Sequence, residues 1–182
     1  MPEECMNKYN TFGRRFWAAM IDGLVLWPLS IIDERITPQN LDTAFFVVWI
    51  VFSYTLYWLY SVFLHARYGQ TLGKMVTKIT VLDVSETRIP SLRQALIRDI
   101  GYIVLNTLAL AYAIYLATIG EYAQGAEYSS VPGEVLTWAG LGWFFLEITT
   151  MLTNHKRRAF HDYIAGTVVI QGNATSQGAP LK

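Results

Sequence analysis

Four stretches of this chain are apolar for long enough to cross a bilayer: residues 16–32, 43–65, 100–120 and 135–153. A helix needs about 20 such residues to span a hydrocarbon core of ~30 Å. Pro28 falls inside the first stretch, where a membrane helix tolerates a bend. The pattern changes over residues 67–99. Thr71 is placed to cap a short helix carrying Leu72, Met75, Val76 and Ile79 on one face, with Lys74 and Lys78 beside it. That is an amphipathic helix suited to the inner interface. The run Ile79-Thr-Val-Leu-Asp83 then alternates as a strand, followed by polar turn residues, and predicts a short hairpin. Ser91 caps the approach to the third span. In the tail, Thr167-Val-Val-Ile170 is a second candidate strand, with which the first could pair.

Composition agrees with spans rather than with a soluble core. Of 182 residues 53% are hydrophobic and 15% charged, against about 25% charge in globular domains. Mean hydropathy is +0.28. The zero net charge gives no case for nucleic acid. Its distribution is uneven: 13 of the 14 Lys and Arg residues lie before the first span, between the second and third, or after the fourth. Arg35 is the exception. The other two connections carry Asp33, Glu34 and Asp42, and Glu121, Glu127 and Glu134. The positive-inside rule places both termini and the middle loop in the cytoplasm. The predicted fold is a single all-α membrane domain over residues 1–182, a bundle of four transmembrane helices in a bacterial cytoplasmic membrane. Arg14-Arg15 before an apolar run has the look of a twin-arginine signal. Asp22 inside that run argues against one, so an uncleaved first span is expected.

Asp22 is the anomaly of the first span. A charge at the middle of a membrane helix costs about 2.5–3.5 kcal/mol on insertion scales. It lies seven residues from Arg15, or ~10 Å along a helix. Tyr57, Asn106 and Glu147 fall at similar distances from the cytoplasmic ends of the other three spans. Asp22, Tyr57, Asn106 and Glu147 are therefore candidates for one cytoplasm-facing cavity that binds a proton or monovalent cation. Two carboxylates in low dielectric raise each other's pKa unless a cation separates them. Arg14, Arg15, Arg98 and Arg158 are candidate ion-pair partners. The outer halves of the third and fourth spans carry no ionisable ladder, so transport would need an oligomer. Ala18, Ala19 and Gly23, or Gly140 and Gly142, offer small contact surfaces for one.

Three motifs in order carry a family likeness. Arg14-Arg-Phe-Trp-Ala-Ala-Met-Ile-Asp-Gly23, Tyr68-Gly-Gln-Thr-Leu-Gly-Lys74 with Ile79-Thr-Val-Leu-Asp83, and Arg158-Ala-Phe-His-Asp-Tyr-Ile-Ala-Gly-Thr-Val-Val169 resemble the RDD family of membrane proteins, across about residues 12–169. The resemblance maps the family's arginine to Arg15, with Arg14 as the neighbouring choice, and its two aspartates to Asp22 and Asp162. It implies transport of small ions or solutes, with cation/proton exchange as one form. Arg15 and Asp162 would then act as a gate or orienting pair. The rival class is a non-transporting scaffold or assembly factor whose Arg–Asp pairs lock helices.

Other chemistries have weaker support. Gly69 to Lys74 has too few residues between its glycines for a phosphate loop, and no strand precedes it. Chain reversal, with Lys74 snorkelling to headgroups, is the expectation there. His65, His155, His161 and Asp162 fit no standard zinc spacing. Ser53 and Ser61 show no histidine at a spacing that suggests a nucleophile, so no enzyme activity, metal or cofactor is expected. Cys5 reads as a free surface thiol. The expected partners are the lipid bilayer, a proton or monovalent cation, and further copies of the chain.

Overall fold

The computed structural model describes residues 8–36, 41–122 and 130–172. Cys5 and Glu127 lie outside them. Four long helices are present among the described residues: α1 (Phe12–Asp33), α2 (Thr43–Tyr68), α4 (Leu92–Thr118) and α5 (Val131–Thr153). Each is long and apolar enough to cross a membrane. Between them come a short helix α3 (Leu72–Val76) and a strand β1 (Ile79–Asp83); after them come α6 (Phe160–Ala165) and β2 (Thr167–Gln171). The helices run past the apolar stretches. α4 begins at Leu92, eight residues before the expected span, because Ser91 and Gln94 form a capping box there. The Ser91 N–H donates to Gln94 Oε1 at 3.0 Å and the Gln94 N–H to Ser91 Oγ at 3.3 Å.

The chain folds as two compact units. The first comprises Met1–Val25, Tyr60–Ile100 and Phe145–Lys182. Its centre is a two-stranded antiparallel sheet in which β1 pairs with β2, Val81 opposite Val169. The hairpin expected within the middle loop is thus replaced by pairing of the loop with the tail. The local turn residues serve only to return the chain, with the Asp83 N–H bonded to the Arg88 carbonyl at 2.9 Å. Both faces of the sheet are covered. Leu82, Ile89, Val168 and Ile170 pack with Tyr9 on one side; Ile79, Val81 and Val169 pack on Ala18 of α1 on the other. Burial on both faces explains why Ile79 to Leu82 and Thr167 to Ile170 are all enclosed.

Gly69 ends α2 with φ +68°, the left-handed C′ conformation that glycine adopts at no steric cost. A Cβ there would also come within 2.8 Å of the Val81 carbonyl. That contact is the turn's purpose: the Val81 N–H donates to the Gly69 carbonyl at 2.8 Å, closing the open edge of β1.

The second unit comprises Leu26–Leu59 and Gly101–Phe144. Phe46 and Ile50 of α2 pack on Ala113 and Ala117 of α4. Small residues bring helices close where lipid gives no hydrophobic drive for association. At Gly101 a Cβ would lie 2.3 Å from the Trp143 ring, so the missing side chain is what admits the indole.

Candidate functional site

Asp162 is the most enclosed charge in the first unit, with no exposed surface. Its position follows from local folding. It is the third residue of α6, where its Oδ2 reaches back to the Ala159 N–H at 3.1 Å, the carboxylate half of a capping box. Thr167 Oγ1 donates to Oδ1 at 3.1 Å, tying the helix to the start of β2. Arg15 Nη1 from α1 meets Oδ2 at 2.7 Å. The rest of that guanidinium bonds Thr11 Oγ1 and the Arg157 carbonyl. Arg98 Nη2 lies 3.4 Å from Oδ1. Burial alone would raise the Asp162 pKa, but Arg15, Arg98 and His161 outweigh it and hold the group well below the usual carboxylate range.

His161 extends this centre. Its Nε2 is 2.9 Å from Arg98 Nη2, and its Nδ1 is 2.6 Å from Glu147 Oε1 of α5. With Arg98 donating to Nε2, the neutral imidazole carries its proton on Nδ1. Burial favours the neutral ring, but the Asp162 charge together with the hydrogen bonds to Asp162 and Glu147 outweighs it, and the His161 pKa is raised. Two guanidiniums, two carboxylates and one imidazole thus form a continuous chain from α1 through α4 and α6 to α5.

Asp22 sits in a different arrangement. Its oxygens accept from Tyr60 Oη at 2.6 Å, Thr71 Oγ1 at 2.6 Å and the Gly73 N–H at 2.7 Å. None of Arg14, Arg15, Arg98 or Arg158 is its partner in these bonds. Arg14 donates to the Thr77 carbonyl, and Arg158 donates to the carbonyls of Thr167 and Asp162 and stacks on Tyr163. Asp22 therefore acts as an acceptor for the start of α3, whose N-cap is Thr71 as expected. Gly73 makes this possible. A Cβ there would lie 2.1 Å from the Ala18 carbonyl and 2.9 Å from the Asp22 carboxyl carbon.

Lys74 is not free to snorkel. Its Nζ lies 2.5 Å from His65 Nε2, and Ser61 Oγ lies 3.2 Å from His65 Nδ1. Burial first, then the charge of Arg98, lower the Lys74 pKa to about 7. Ser61 therefore does have a histidine neighbour. The spacing of four residues on one helix was the sequence signal for it.

The four candidates Asp22, Tyr57, Asn106 and Glu147 fall two to each unit. Asp22 and Glu147 have the separate partner sets just described. Tyr57 and Asn106 line a cavity of about 170 Å³ in the second unit, where the carboxylate is Asp33. Among the described residues, no group of three His, Cys, Asp or Glu is arranged to hold a metal ion.

Residues 9–166 match the RDD family. The chain belongs to the RDD family. The match covers the first two sequence motifs and the third as far as Gly166, and with four apolar helices it makes this a multi-pass membrane protein. No curated protein and no solved structure matches the chain. In this RDD protein, Arg15 and Asp162 meet directly, while Asp22 holds the segment that follows α2.

Proposed function

We propose that this RDD protein transports small ions or solutes across a bacterial cytoplasmic membrane, coupled to protons, with Glu147 and His161 as the proton-carrying pair. The observation that carries this reading is the 2.6 Å approach of His161 Nδ1 to Glu147 Oε1, largely buried and next to Arg98 and Asp162. An ionisable group within a membrane helix, as Glu147 is in α5, is costly and marks a candidate functional site. Imidazole is the side chain whose charge changes near neutral pH. Arg15 and Asp162 act as the fixed, oppositely charged pair that orients His161. Asp22 binds α3 rather than the cargo. The loops and tail that carry most of the basic residues face the cytoplasm. Gly140 and Gly142 of α5, which have open space where a Cβ would sit, provide a surface for assembly into oligomers.

The test is proton flux in liposomes loaded with a pH dye, driven by a gradient of Na⁺, K⁺ or Li⁺. Flux is expected with the intact protein and lost in Glu147→Gln and His161→Gln that still elute as folded protein. Flux equal to that of empty liposomes overturns the transport reading. The scaffold reading has its own support, since the three donors to Asp22 make it a tie between α1 and α3. It predicts that Asp22→Asn fails in folding or assembly and that no variant changes flux.

A further inference from the structure

The 170 Å³ cavity in the second unit is lined by Ser30, Asp33, Ser53, Tyr54, Tyr57 and Asn106, together with two leucines. Three of its polar side chains share one property. Ser30 Oγ donates to the Trp27 carbonyl at 2.7 Å, Ser53 Oγ to the Ile50 carbonyl at 3.4 Å, and Asn106 Nδ2 to the Tyr102 carbonyl at 2.8 Å. Each side chain thus uses a donor on its own helix backbone. Each retains an acceptor oxygen for a ligand, with one amide N–H also left on Asn106. Asp33 adds a carboxylate at the end of α1, steadied by Trp49 Nε1 donating to Oδ1 at 2.6 Å. No Lys, Arg or His lines the cavity.

We infer that this cavity is a binding site for a monovalent alkali cation, with Asp33 as its charged ligand and Ser30, Ser53 and the Asn106 carbonyl as neutral oxygen ligands. Hard oxygen donors suit hard cations. Asp33 is the one carboxylate among the lining residues, so a single positive charge balances the site, while a divalent ion would find no second carboxylate there. The volume admits an ion with a few waters, each occupying about 30 Å³. Tyr54 and Asn106 also line a second cavity of about 190 Å³, bounded by α4 and α5. These two residues are common to the linings of both cavities. This site goes beyond the Glu147–His161 reading and stands or falls separately, because it is defined by binding rather than by flux.

Trp49 supplies the readout, since its indole N–H is bonded to the proposed ligand. The purified protein in detergent is titrated with NaCl, KCl or LiCl, with choline chloride holding ionic strength constant. Tryptophan emission is compared with that of Trp49→Phe. The expected result is a saturable change for at least one alkali cation, absent with choline, absent in Trp49→Phe and lost in Asp33→Asn, with Asp22→Asn unchanged among variants that fold. Should Asp33→Asn not yield folded protein, Ser53→Ala and Asn106→Leu keep the carboxylate and are expected to weaken binding at least tenfold. A response equal to choline overturns the site. So does one that survives in Asp33→Asn or, where that variant does not fold, one undiminished in Ser53→Ala and Asn106→Leu. Saturable binding without liposome flux would uphold the site and sink the transport reading.

Discussion

At the scale of single residues, Asp162 shows how a buried charge is made tolerable. It is fully enclosed, yet it meets Arg15 at 2.7 Å and two hydrogen-bond donors, the Ala159 N–H just before α6 and the Thr167 hydroxyl of β2. Removing only one partner of such a pair strands the other. Asp162→Asn is expected to cost about 3–5 kcal/mol, read as a large fall in the midpoint of thermal unfolding in detergent. Replacing both partners, as in Arg15→Met with Asp162→Leu, should recover much of that loss. Glu86 works the same way nearer the surface. Burial pushes it up, but hydrogen bonds from Lys156, Lys8 and Tyr9 outweigh that and bring its pKa to about 2. Its folded pKa is depressed, so its contribution is present above the unfolded value and is lost as pH falls from about 4.5 toward about 2. Stability should therefore drop over that window, and Glu86→Gln should flatten the drop. Lys74 has the opposite sign. Its neutral form is favoured in the fold, with a pKa of about 7 against 10.5. The unfolded chain binds the extra proton between these values, so stability rises with pH from about 7 upward. Lys74→Met should stabilise most near pH 6, with the gain shrinking by pH 10 in melting curves.

At the scale of elements, α3 and the sheet depend on glycine more than on propensity. Gly73→Ala would drive a methyl group into the Ala18 carbonyl and the Asp22 carboxyl. Both are parts of a packed helix, and overpacking of this kind costs about 1–3 kcal/mol or more. Gly23→Ala meets nothing within 4 Å and should leave the unfolding midpoint nearly unchanged. The contrast between the two variants, measured side by side, checks that the α1–α3 contact is close-packed. The sequence shows why these parts are only half legible. Spans are read from apolar length, and all four were found. α4 starts eight residues early because Arg93, Arg98 and Asp99 continue the helix beyond the apolar run; hydropathy reports solvent, not backbone. β1 and β2 are each readable as short strands. Their pairing across more than 80 residues is not, because a ladder is made of backbone groups that every residue carries.

At the scale of the whole molecule, the family motifs stood out in the sequence, but the division of labour among them did not. An aspartate inside a span suggested an arginine partner for Asp22. The fold instead supplies Tyr60, Thr71 and a backbone N–H, which no charge pattern could signal. Arg15 and Asp162 meet because α1 and α6 converge on one sheet, and the strands of that sheet come from the middle loop and the tail. Such pairing requires the loop, the tail and the start of α1 to lie on one side of the membrane. Reporter tags at residue 86 and after residue 172 should be accessible from the same side of intact vesicles. Opposite accessibility would contradict the paired strands.

The pairing of loop with tail also sets an order of events during synthesis. Arg15 leaves the ribosome 147 residues before Asp162, roughly 7–30 s earlier at 5–20 residues per second. Through that interval its guanidinium has no carboxylate from α6, and β1 has no β2 to cover it. The last strand made is the one that closes the unit. Nascent chains stalled before residue 160 are thus expected to be cut by protease within the middle loop, while the released protein resists. Biogenesis, more than the mature fold, is where this architecture is most exposed to failure.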